Sequence, residues 1–301
     1  MALSVYGADG KTASAALSAA EAEIYRLDAL LSISREGSDI LRLNRSGEAG
    51  LSEETLALIS RALELAEETG GAFDPTVLPL MEVWGFPSGN YRVPEKGELD
   101  ELLSSVGWER VSLQGDTVAL PAGGGMDLGG IAKGYAAECV LGIMEDSGAE
   151  SALAVLGGNV GALGMKPDGS PWKVAVADPE DTGKRLALIE LGTPGESWYA
   201  VTSGGYQRYF EENGRRYHHI LDPETGAPAE TDLTSVTVIS RDGTLADALS
   251  TALFVMGREE AEDFWRSHRD EFEMVLWDGQ TLYVTPGLTL NPERPCQEVA
   301  P

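Results

Sequence analysis

The chain has 301 residues, enough for a large buried core in one or two domains. Asp and Glu number 49 against 22 Lys and Arg, a net charge of −27 that excludes a nucleic-acid surface; a phosphorylated ligand would need local positive charge or a metal ion to meet it. No apolar run is long enough to span a membrane, and Cys139 and Cys296, far apart and outside any CxxC pair, read as thiols.

Met1 to Gly7 is strand-like from its first residues, as expected if a secretion or lipoprotein signal ended just upstream, or if a cytoplasmic chain had a tight start. Residues 13–31 then predict an alanine-rich amphipathic helix with Leu17, Ala20, Ile24, Leu27 and Leu31 on one stripe. A short helical turn is expected over 38–44, and Ser52 caps another helix running to about Thr69. In the segment Gly70-Gly71-Ala72-Phe73-Asp74-Pro75 the proline pushes Asp74 toward an extended conformation, where its carboxylate either reads a ligand hydroxyl or ring N–H or caps the following turn. Trp84 and Phe86 read as core; residues 95–106 predict a helix and 111–120 a hairpin.

Met126-Asp127-Leu128-Gly129-Gly130-Ile131-Ala132-Lys133 organises the chain. A glycine bend runs into apolar residues at helical spacing, Ile131, Tyr135 and Val140, so a helix is expected from about Gly130. Its first amides and dipole suit a phosphate or carboxylate, and Lys133, which opposes the dipole, is better explained by an anion than by helix stability. Asp127 either caps the helix or accepts from a ligand, and an ordinary strand-to-helix turn is the alternative for the whole stretch.

Strands are expected over 152–156, 172–177, 186–191 and 198–202, with glycine turns at Gly157-Gly158-Asn159 and Ser203-Gly204-Gly205. Only one of the adjacent His218 and His219 can face a given site if both lie in a strand. On a helix over 246–256, Asp247 and Thr251 share a face and offer two hard oxygens suited to Mg²⁺, or else serve the helix alone. A helix over 259–269, strands over 273–277 and 281–285, and a tail after Pro286 complete the chain. The pattern predicts an α+β fold with a large mostly antiparallel core and helices on the outer faces, one domain over 1–285 with a tail over 286–301, and a possible internal duplication marked by the glycine turns near Gly130 and Gly204.

Six segments in register, Phe73 to Leu80, Met126 to Ala137, Leu156-Gly157-Gly158-Asn159-Val160, Ala200 to Phe210, Tyr217 to Gly226 and Leu245 to Gly257, resemble the ApbE family of FAD-dependent protein FMN transferases. The resemblance implies FAD as donor, attachment of FMN through its phosphate to a Thr or Ser of an acceptor protein, and release of AMP. It also implies Mg²⁺ held by Asp247, Thr251 and the carbonyl at or next to Gly130, and His219 as base. FAD contacts are implied at Met1, Ala72, Phe73, Asp74, Asp127, Lys133 and Ile220, and some relatives carry a further acid where this chain has Ser250. The family further implies a membrane redox-complex subunit as acceptor and an extracytoplasmic, membrane-anchored lipoprotein as the full-length form. A Mg²⁺-dependent FAD pyrophosphatase and a flavin carrier are the competing expectations.

Overall fold

The computed structural model describes residues 1–7, 9–181 and 183–301. Among them are helices α1 (Gly10–Leu31), α2 (Asp39–Ser46), α3 (Glu53–Glu68), α4 (Leu78–Val83), α5 (Lys96–Leu102), α6 (Ala132–Asp146), α7 (Gly243–Met256) and α8 (Arg258–His268). The strands are β1 (Ala2–Tyr6), β2 (Glu48–Gly50), β3 (Ser112–Gln114), β4 (Thr117–Ala119), β5 (Ser151–Leu156), β6 (Asn159–Leu163), β7 (Trp172–Ala177), β8 (Arg185–Leu191), β9 (Ser197–Gly204), β10 (Tyr209–Glu212), β11 (Arg215–His218), β12 (Ser235–Ser240), β13 (Phe272–Trp277), β14 (Leu282–Val284), β15 (Leu290–Pro292) and β16 (Cys296–Glu298). They divide into two compact units, the first made of Met1–Tyr25, Ile131–Gly204 and Asp232–Pro301, the second of Arg26–Gly130 and Gly205–Thr231.

The first unit is built on an eight-stranded sheet in the order β1-β5-β6-β9-β12-β13-β14-β16, antiparallel at every pairing except β14 with β16. Its central strands are buried on both faces, so consecutive residues serve different cores. Leu163 and Tyr199 pack with Ala137, Val140, Leu141 and Met144 of α6, while their neighbours Ala162 and Ala200 pack with Trp172, Leu186 and Ile189 of a second sheet, β15-β8-β7. Ser235 to Ser240 of β12 are all buried, the polar Ser235, Thr237 and Ser240 included, because this strand is central in the sheet. Residues 286–301, expected as a tail, belong to this unit: β15 pairs with β8, β16 pairs with β14, and Val299 is buried. Short strands with exposed side chains carry almost no periodic signal, which is why the sequence pattern misses them.

The second unit holds α2 to α5, the small sheet β2-β4-β3 and the β10–β11 hairpin. Ser52 caps α3 as expected and Ser38 caps α2, each side chain accepting from a first-turn amide. The Ser52 cap is tied to a buried acid at the start of α2: Asp39 accepts from Ser52 N and Oγ and from Thr55 Oγ1, at 2.9, 2.7 and 2.8 Å. The aromatic stretch around Trp84 contains the short helix α4, admitted by Pro79 in its first turn, and it packs Leu80, Met81, Trp84 and Phe86 against Leu99, Val106 and Leu221. Phe210 and Tyr217 of the hairpin stack on each other at 5.2 Å, and Tyr91 stacks on Phe210 at 5.1 Å. The glycine turn near Gly130 leads into a helix and the one at Gly204 into this hairpin, so the two local architectures are not repeats of one another.

Candidate active site

In the first unit, α6 starts without a cap from its own N-cap residue, Ile131, which offers no side-chain acceptor. The acceptor comes from 113 residues away, as Asp247 Oδ2 of α7 takes the N–H of Gly134 at 2.9 Å. The arrangement is reciprocal. Glu138 of α6 accepts from Gly243 N at 2.6 Å, Thr244 N at 3.1 Å and Thr244 Oγ1 at 2.7 Å, so each helix supplies a carboxylate to the N-terminus of the other. Burial, and secondarily the charge of Asp242, pushes the Glu138 carboxyl above its usual range against the pull of these hydrogen bonds.

Asp247 is almost completely buried, and Lys133 Nζ stands 3.2 and 3.4 Å from its two oxygens. The cation at the start of α6 is therefore matched inside the protein by a buried carboxylate. Beyond Asp247 lies a hydroxyl cluster: Ser203 Oγ is 2.8 Å from Ser250 Oγ and 3.3 Å from Thr251 Oγ1, and Ser250 Oγ donates to the Asp247 carbonyl at 2.9 Å. A buried carboxylate on the same helix as a cluster of hydroxyls offers oxygen donors, which suit Mg²⁺ better than Zn²⁺. Ser203 joins this set although the sequence marks it only by the glycines that follow it.

In the second unit, Asp127 N donates to the Pro75 carbonyl at 2.8 Å, and Val77 bridges Gly125, so the Phe73–Asp74 stretch and the Met126–Asp127 stretch lie side by side. Asn44, which drew no attention in the sequence, clamps both backbone groups of Met126, accepting from its N–H at 2.7 Å and donating to its carbonyl at 2.8 Å. Asp127 Oδ1 accepts from Gly129 N at 2.8 Å, and thus caps the glycine bend; the α6 cap that the sequence offered it belongs to Asp247 instead. Gly130 closes this unit, one residue before the N-cap of α6.

Asp74 is buried, with Oδ1 accepting from Thr76 N at 2.8 Å and Thr76 Oγ1 at 2.6 Å and Oδ2 from Trp108 N at 3.1 Å. Of the two sequence alternatives, these bonds are those of a turn cap that also pins Trp108. Desolvation dominates its titration and raises the carboxyl above 3.8 in spite of them. The folded state then holds the proton longer than the unfolded chain, so this group's contribution to stability is full below 3.8 and is lost as pH rises through the raised folded value. Asp74→Ala strands three donors, Thr76 N, the buried Thr76 hydroxyl and Trp108 N, and is expected to cost about 2–3 kcal/mol. Urea denaturation at pH 7 checks it; a loss below about 0.5 kcal/mol would make these bonds energetically idle.

Phe73 and Ile220 are buried, Ala72 is half-buried, and Met1, in the first unit, is 65% exposed. His218 ends β11, packed against Gly205, and burial lowers its pKa below 6.5. His219 lies just past the strand, where its N–H and its ring Nδ1 both contact the Arg208 carbonyl, at 3.1 and 3.2 Å. A carbonyl oxygen only accepts, so with the ring neutral this contact places the His219 proton on Nδ1.

The ApbE family model matches residues 1–276. An FAD:protein FMN transferase of Treponema pallidum is 37% identical over 274 residues, covering 83% of this chain and 75% of that protein. Among solved structures, the ApbE protein of Thermotoga maritima aligns with a TM-score of 0.82 at 36% identity, covering 91% of this chain and 88% of that one. The flavinyl transferase ApbE of Pseudomonas stutzeri aligns with a TM-score of 0.80 at 32% identity, covering 91% and 86%. Fold and relatives together define an α+β enzyme of the transferase class. The chain belongs to the ApbE family.

Proposed function

We propose that the protein transfers FMN from FAD to a Thr or Ser hydroxyl of an acceptor protein, with release of AMP and dependence on Mg²⁺. The observation that carries this reading is the buried Asp247, held between the first turn of α6 and Lys133 and bordered by the hydroxyls of Ser203, Ser250 and Thr251. The names of the relatives, FAD:protein FMN transferases, supply the substrate class.

The chemistry is an in-line displacement at phosphorus. The acceptor oxygen bonds to the FMN phosphorus, the bond from that phosphorus to the bridging oxygen breaks, and AMP leaves with that oxygen. Asp247 and Thr251, with a backbone carbonyl at or next to Gly130, would hold Mg²⁺, which when bound supplies charge neutralisation for the pyrophosphate. Lys133 and the first-turn amides of α6 orient the donor phosphates. His219 Nε2 takes the acceptor's hydroxyl proton, with the Arg208 carbonyl fixing the ring's tautomer. AMP leaves as a phosphate monoester and requires no strong acid. For the flavin end we assign Ala72, Phe73, Asp74, Asp127 and Ile220 in the second unit and Met1 in the first. The acceptor we infer is a membrane redox-complex subunit, met outside the cytoplasm by a membrane-anchored lipoprotein form of this chain.

Protein incubated with FAD, Mg²⁺ and an acceptor domain should give an acceptor heavier by one FMN in the mass spectrum. An unmodified acceptor with accumulating FMN and AMP would replace transfer by FAD hydrolysis, provided a known transferase modifies the same acceptor. His219→Ala is expected to lower turnover about 10²- to 10⁴-fold while FAD affinity stays. Loss of FAD affinity with unchanged turnover per bound FAD would remove it as the base.

A further inference from the structure

The turn that joins β5 to β6, Gly157-Gly158, is exposed, yet the next residue, Asn159, is buried to 2% of its surface and its amide Nδ2 has no hydrogen-bond partner. A buried N–H₂ left unpaired costs free energy and calls for a reason. Its direction follows from the sheet. Asn159, Gly161 and Leu163 alternate onto one face of β6, the face on which Leu163 packs with α6. A Cβ placed on Gly161 would meet Leu141 Cδ1 at 3.0 Å, and one on Gly157 would lie 4.0 Å from Lys133 Cδ. Moving from Gly161 toward the turn therefore moves along α6 from Leu141 back to Lys133, and Asn159 lies between. Its amide faces the first turn of α6, where Lys133 and the positive end of the helix dipole also lie.

We propose that Asn159 is a donor-binding residue whose Nδ2 donates to a pyrophosphate oxygen of the FAD, completing an anion subsite with Lys133 and the start of α6. This rests on the flavin-transfer reading above. Three features converge on one small volume: a cationic side chain, a helix N-terminus and an unmatched buried donor, and the ligand that satisfies all three is an anionic oxygen. Both glycines of the exposed turn hold positive φ, +59° and +104°, so a substitution there would strain the turn.

The test compares the full-length protein with Asn159→Asp and Asn159→Ala, measuring affinity for FAD, for ADP with Mg²⁺ and for riboflavin, which has the isoalloxazine ring and no phosphate; melting temperature reports the fold. Asn159→Asp keeps the shape but turns an oxygen toward the phosphate, and it should weaken FAD and ADP by about tenfold to a hundredfold, with Asn159→Ala less affected and riboflavin unchanged. Wild-type affinities for FAD and ADP in both variants, or a parallel loss for riboflavin, would overturn the assignment. If neither variant folds, a crystal of the wild type with ADP decides it: Nδ2 within hydrogen-bond reach of a phosphate oxygen supports the site, and a greater separation refutes it. A wild type that binds FAD through Asn159 but modifies no acceptor would sink the transferase reading alone, whereas one that binds no FAD sinks both.

Discussion

Asp247→Asn is expected to lower FMN transfer about 10³-fold while leaving the fold standing. The substitution keeps the side chain's volume and one oxygen able to accept from Gly134 N, so the cap on α6 survives. What disappears is the negative charge in a nearly fully buried position, the one full charge among the oxygens of Ser203, Ser250 and Thr251. Hydroxyls alone bind a divalent cation poorly, so affinity for Mg²⁺ should fall with turnover. Lys133, 44% exposed, can turn toward water when its partner is neutralised, so the melting temperature should shift by only a few degrees. Transfer is read by the mass of the acceptor across a Mg²⁺ titration. Turnover at the wild-type level with unchanged Mg²⁺ dependence would take Asp247 out of the chemistry and leave it a helix cap.

How much of this could be read in the sequence depends on how local each feature is. The capped helices α2 and α3 and most strands of the large sheet were legible, because a capping serine and a hydrophobic period act within a few residues. The Asp247–Thr251 pair was legible as a shared helix face, and the family resemblance singled it out from the many acid–hydroxyl pairs that mean nothing. Nothing local indicates that Lys133 meets Asp247, that Glu138 caps α7, or that Asn44 clamps Met126: those partners are separated by 114, 106 and 82 residues. Asp74 shows the opposite limit. Its pre-proline position places it on a loop, but the carboxylate is buried rather than displayed, and only the position of Trp108, 34 residues on, reveals that both oxygens are already engaged. The same separation hides Asn159, whose meaning comes from the helix beneath it and not from the glycines beside it.

The larger structural effect is expected from Gly134→Ala, one added methyl group at the crossing of α6 and α7. Helix propensity alone favours the change by about 1 kcal/mol, since Gly134 lies in the first turn of a helix and alanine is the better helix former. Space decides against it. A Cβ at Gly134 would sit 2.0 Å from the Gly243 carbonyl oxygen and 2.9 Å from the Asp247 Cβ, and the first of these is backbone that cannot rotate away. Nor can α7 retreat: Gly243 is already so close to Tyr199 that its own Cβ would lie 2.8 Å from that ring, and Glu138 holds Gly243 N and Thr244 in place. Relief must come from parting the two helices, which breaks the reciprocal caps and opens the packing of both against the sheet. The net cost should be about 4 kcal/mol or more, a fall in melting temperature of about 10 °C for a chain of this size. Because the same separation moves Asp247 away from Gly134 N, the residual folded protein should also transfer FMN slowly at temperatures where it is intact. Thermal denaturation followed by far-UV circular dichroism gives the answer, and a melting temperature equal to or above that of the wild type would show that the helices part freely and that their close crossing does not set the position of Asp247.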